Sequence, residues 1–196
     1  MTHVAGMESE LPMASSLDRL RMLLPPPEVA PAPQPWQDVE RRLGVALPND
    51  YKEFMEVYGD GTLEDYLLLE QLITSEEEFS EWWEEQLDDL RSAAERVPER
   101  YTLEPGRVDL LPWGFTIDVD VCYWWMDPRE DPDRWWIVSR DRDVSRWSVF
   151  EGSMVEFLVE VVSGRRREPW MPCDFPGDSP WFKTTARYLA DTDPYK

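Results

Sequence analysis

A chain of 196 residues with 42% hydrophobic and 13% aromatic content fits one large domain with a substantial core. There are 41 acidic and 20 basic residues, a net charge of −21, and that field repels nucleic acid and anionic membranes while favouring cationic partners. The cysteines, Cys122 and Cys173, form no CxxC and the sole histidine is His3, which excludes zinc sites, thioredoxin-type motifs and histidine-based triads.

Residues 1–14 read as a loose lead-in. SSLDRLRMLL (15–24) predicts a short helix with Ser16 as cap and Leu17, Leu20 and Leu24 on one face. PPPEVAPAPQP (25–35) ends it and reads as a polyproline spacer. Trp36, Val39 and Leu43 form the next helical stripe, closed by Gly44. Pro48 and Asp50 suit the start of a further helix, in which Tyr51, Phe54, Met55 and Tyr58 make the buried stripe and Gly59-Asp60-Gly61 the stop. LEDYLLLEQLI (63–73) holds a strand-length apolar run.

The longest predicted helix spans 75–97. Ser75 and Glu78 make a capping-box pair, and Pro98 ends the segment. Its apolar stripe is Phe79, Trp82, Trp83, Leu87, Leu90, Ala94 and Val97; its opposite face carries Glu77, Glu81, Glu84, Glu85 and Asp88. Residues 53–90 contain 14 acidic and no basic side chains, so opposite-sign pairing is missing within that span.

Beyond Pro98 the period changes. LLPWGFTIDVDVCYWWM (110–126) alternates as a strand, with Phe115, Ile117, Val119 and Val121 against Thr116, Asp118 and Asp120. Turns at 127–133 and 141–143 separate strands at 134–140 and 145–150, which together predict an antiparallel meander. Ser153 and Glu156 form a second capping pair; Met154, Phe157, Leu158 and Val161 give a helical stripe; Gly164 closes it, and Arg165–Arg167 complement its negative end. The tail, 168–196, reads as an irregular cover. Helices, then strands, then a helix specify an α+β fold: N-terminal helices packed on a mainly antiparallel sheet, with a C-terminal helix.

Chemical signals are sparse. Asp118-Val119-Asp120 spells the DxD of metal-dependent sugar-nucleotide enzymes, but no βαβ context accompanies it, and alternation puts both acids on one solvated strand face. DPREDPD (127–133) lacks the glycine and spacing of a calcium loop. No catalytic residue, cofactor or metal is expected. No run of 18 apolar residues and no secretory h-region is present, so a cytoplasmic chain with free thiols and no membrane contact is expected. The acidic face of 75–97 is the one feature with a mechanism, an anionic surface that selects a basic partner. Asp118 and Asp120 are secondary positions. An exposed Trp124 or Trp125 would move the binding face.

Trp36, Val39-Glu40, Leu43-Gly44, Leu47-Pro48, Tyr51, Phe54, Tyr58-Gly59 and Gly61 together resemble the opening of the SUKH superfamily, the cell-wall regulators of fungi and their bacterial relatives. Pro112-Trp113-Gly114, Thr116, Asp120 and Tyr123-Trp124 are similar to its central strand motif. Asp131-Pro132-Asp133 with Trp135, and Phe157-Leu158, resemble later parts. Where many relatives carry a glycine in the turn near Asp120, this chain has Val119. The resemblance covers roughly 36–164, with 1–35 as a flexible lead-in and 165–196 as a C-terminal extension packed on the domain. It implies a non-enzymatic domain, in bacteria an immunity protein that binds and neutralises a cognate toxin, often a nuclease or nucleic-acid deaminase, and the acidic composition of this chain agrees with a basic toxin of that kind. A regulatory scaffold or adaptor is the alternative. Oligomeric state and toxin identity stay open.

Overall fold

The computed structural model describes residues 14–69, 84–85, 87–104, 107–127 and 129–192. Three helices come first: α1 (Ser16–Leu23), α2 (Trp36–Leu43) and α3 (Asn49–Val57). Ser15, one residue before the expected cap, starts α1, its hydroxyl accepting from the Asp18 amide at 3.1 Å. Leu17, Leu20 and Leu24 are buried, so α1 is part of the core rather than of a flexible lead-in. Tyr58 fastens this end by donating to the Leu24 carbonyl at 2.6 Å, and burial pushes its phenol up to about 12. Gly44 at φ 71 ends α2 as the sequence predicts. Asp50 acts on a helix other than its own. Its carboxylate accepts from the Val155 amide at 2.9 Å, in the first turn of α5 (Met154–Val162). Burial raises its pKa against the hydrogen bonds that lower it.

Strands β1 (Gly61–Leu63), β2 (Leu67–Leu69), β5 (Leu110–Thr116), β6 (Val121–Trp125), β7 (Trp136–Arg140), β8 (Trp147–Phe150) and β9 (Phe182–Thr184) form a seven-stranded sheet in the order β8-β7-β6-β5-β2-β1-β9. Every pairing is antiparallel. A small ribbon, β3 (Leu103–Glu104) with β4 (Arg107–Val108), stands apart. The tail is therefore more than a cover: β9 extends the sheet beside β1, and α6 (Thr185–Thr192) follows it. Residues on both sides of 36–164 thus join one core and one sheet.

The sheet is covered on both faces. Leu111, Trp113, Cys122, Trp124 and Ile137 join α1, α3 and α5 in the larger core cluster. Their neighbours Leu110, Val121, Tyr123 and Val138 point the other way and meet Leu90, Ala93 and Tyr101. This two-sided burial explains why strands such as LLPWGFT and VCYWW read as nearly continuous apolar runs. The α5 capping box is present in full: Ser153 accepts from the Glu156 amide and Glu156 from the Ser153 amide. Gly164 at φ 70 follows the helix. Of the three arginines after it, Arg165 pairs with Glu160. Arg166 pairs with buried Glu168 and reaches the Ser148 hydroxyl and Val149 carbonyl of edge strand β8. Arg167 donates to the Pro172 and Cys173 carbonyls. These side chains hold the sheet edge and the tail, beyond any complement to the helix dipole.

Two further sequence expectations change. The strand expected at 110–126 is a hairpin, β5 and β6 joined by a tight turn at 117–120. Thr116 organises the turn: its hydroxyl donates to Asp120 Oδ2 at 2.7 Å and accepts from the Asp118 and Asp120 amides. Ile117 and Val119 are 63% and 54% exposed, not core. Val119 takes φ 70, a conformation that costs a β-branched residue about 1–2 kcal/mol and that glycine adopts freely. The helix expected at 75–97 is α4, whose described residues are 84–85 and 87–92; 94–96 forms a 3-10 turn instead of continuing it. Ser75, Glu78, Phe79, Trp82 and Trp83 lie outside the described residues.

Candidate partner-binding surface

Helix α4 lies on the second face of the sheet because Leu87 and Leu90 are buried, at 3% and 1% exposure, and Leu90 packs with Leu110, Val121, Tyr123 and Val138. Helical spacing then turns Glu84, Glu85 and Asp88 outward, and all three are exposed. Asp89 is exposed beside them. Glu77 and Glu81, expected on the same face, lie outside the described residues.

Sequence reasoning missed how Arg91 serves this surface. Its guanidinium stands 3.2 Å from Asp88 and 3.4 Å from Glu84, drawing the two acids together. Both carboxylates are well exposed, so the contribution to stability is about 0–1 kcal/mol. One cation shared by two acids leaves residues 84–92 of the helix net acidic, with Glu85 in no ion pair among the described residues. The i,i+3 spacing of Asp88 and Arg91 was the available signal, just past the cation-free span 53–90.

Asp118 and Asp120 separate. Asp118 is exposed in the turn of the β5–β6 hairpin. Asp120 is only 3% exposed. Besides the Thr116 contacts, its Oδ1 accepts from the Arg142 amide at 3.0 Å and its Oδ2 faces the Tyr66 hydroxyl at 3.4 Å. The strand face expected to present both acids does not exist, and Asp120 serves to close the turn. No group of three or more His, Cys, Asp or Glu side chains among the described residues is arranged to hold a metal ion. No described helix is long and apolar enough to cross a membrane.

The tryptophans divide by strand phase. Trp113 and Trp124 are buried at 1% and 0%. Trp125 is half-buried on the α4 face, its indole N–H donating to Asp109 at 3.3 Å. Tyr101 contacts Trp147 at 5.2 Å and Trp125 at 5.4 Å, and Trp125 meets Trp136 at 6.1 Å. The Trp147 indole donates to the Arg96 carbonyl just beyond α4. The described face thus carries an acidic helix and, leading away from its end, a row of aromatic rings. That combination suits recognition of a basic protein surface: charge steers the approach, and fixed aromatic rings supply contact area at small entropic cost.

A sequence model described as the SMI1 / KNR4 family (SUKH-1) matches residues 31–158. Searches of curated proteins and of solved structures each gave no match.

Proposed function

The chain belongs to the SMI1 / KNR4 family (SUKH-1), and from that membership we propose that it is an immunity protein, a binding domain that neutralises a cognate toxin of a bacterial polymorphic or contact-dependent toxin system. The toxin is a nuclease or nucleic-acid deaminase, and the encounter takes place in the cytoplasm. Family membership supports the binding role. The observation that carries the choice of partner is the exposed acid row Glu84, Glu85 and Asp88 on a chain of net charge −21. A protein that acts on nucleic acid must present a basic groove to phosphates, and an acidic helix laid over that groove competes for the same cations. Inhibition then needs no catalytic group, only occlusion.

Co-expression tests the role. A host producing a candidate toxin domain, sought first in the genes neighbouring this chain's, is expected to stop growing, and to recover when the chain is supplied. Unrelieved toxicity, with several weak cellular partners instead, would replace this reading with that of a regulatory scaffold.

A further inference from the structure

Two tryptophans of the described chain keep about two-fifths of their surface exposed, Trp136 at 39% and Trp181 at 40%. Their circumstances differ. Trp181 already has a cation over its ring, with Lys183 Nζ 5.0 Å from the centroid. Trp136 has none among the described residues; its ring contact is an edge-to-face approach to Trp125 at 69°.

The position of Trp136 is fixed by the sheet. It is the register partner of Trp125 across β6 and β7, so the two indoles stand side by side on one face. Val138, two residues on, belongs to the cluster under α4, which places Trp136 on the same side of the sheet as that helix. Trp125 is held by its bond to Asp109, whose other oxygen accepts from the Thr102 amide at 2.7 Å. A ring supported by a fixed neighbour on paired strands loses little freedom when a partner docks. Buried and half-buried aromatic anchors of this kind carry a large share of binding energy at interfaces.

Charge decides the occupant. The α4 surface on this side is acidic at Glu84, Glu85, Asp88 and Asp89, and the chain as a whole carries −21. A partner drawn to it brings lysine and arginine, and the face of an indole is the side-chain surface that best accepts such a cation. We infer that Trp136, braced by Trp125, is the aromatic anchor of the partner-binding face and receives a lysine or arginine side chain of the basic protein that α4 attracts. The inference rests on the proposed neutralising role and adds to it a named contact.

The test compares the intact chain with Trp136→Ala and Trp136→Leu, titrated calorimetrically with the toxin domain that the co-expression test identifies. Leu keeps apolar packing on Trp125 but has no π face. Both substitutions are expected to weaken binding at least tenfold, with thermal unfolding midpoints close to the parent's. Should the alanine variant lose its fold, the leucine variant alone decides. Affinities within twofold of the parent in the folded variants would overturn the assignment of Trp136 while leaving the neutralising role intact. Failure of the parent chain itself to bind would instead remove the role on which the inference stands.

Discussion

Trp124→Ala is expected to lower the free energy of unfolding by about 3–5 kcal/mol, the usual cost of emptying a buried aromatic site. Trp124 is fully buried near the middle of the sheet, paired in register with Leu111 and Ile137. Its ring meets Tyr51 of α3 edge-to-face at 5.0 Å and Trp113 at 6.2 Å. It therefore couples a helix to the sheet. Single-domain stabilities run about 5–15 kcal/mol, so the variant would stand close to its unfolding threshold. The indole N–H has no hydrogen-bond partner among the described residues. Trp124→Phe thus removes an unsatisfied donor along with some volume, and its cost should be about 1–2 kcal/mol. Urea unfolding monitored by circular dichroism separates the two, and an alanine variant within about 1 kcal/mol of the parent would refute this packing account.

Arg166→Ala is expected to cost a comparable 3–5 kcal/mol, for an electrostatic reason. Glu168 is 2% exposed, and one of its oxygens pairs with the Arg166 guanidinium while the other has no hydrogen-bond partner among the described residues. Removing Arg166 strands a buried carboxylate. It also frees the Ser148 hydroxyl and Val149 carbonyl on strand β8, and removes the cation over the Phe150 and Phe157 rings. A double substitution, Arg166→Met with Glu168→Leu, should recover most of the loss, because an apolar pair of similar volume often does as well as a buried ion pair. Urea midpoints for the single and double variants form the comparison. Equal instability in both would mean that the packing of these stems, and not the stranded charge, is what matters.

Much of the fold was legible because helical periodicity survives packing. Tyr51, Phe54, Met55 and Tyr58 read as one stripe and are all buried; Ser153 and Glu156 read as a capping box and make one. The β5–β6 hairpin was not legible. Its turn continues the apolar-polar alternation through Ile117 and Val119 and holds no glycine, so periodicity hides it, and only the resemblance, with a glycine in relatives where this chain has Val119, pointed to a turn there. Short strands escaped as well: β1 and β9, three residues each, exist because β2 and the returning tail pair beside them. For the candidate surface, the acids of α4 were visible as a charge run. Asp120 was misplaced because its burial depends on contacts from Tyr66 and Arg142, 54 and 22 residues away. Trp136 could not be told from Trp124 or Trp125, since strands covered on both faces give every position an apolar residue.

We propose the acidic α4 surface as the place where a basic protein docks. The most direct test is the affinity for the toxin domain that co-expression identifies, taken across a range of salt concentrations, for the parent and for the combined variant Glu84→Lys, Glu85→Lys, Asp88→Lys. These side chains are exposed, so the variant should fold like its parent. The prediction is an affinity weaker by on the order of tenfold or more at low salt, and a flatter dependence on salt, because steering and selection by the helix charges are lost. Unchanged affinity and an unchanged salt slope would contradict it and place the docking surface elsewhere on the molecule.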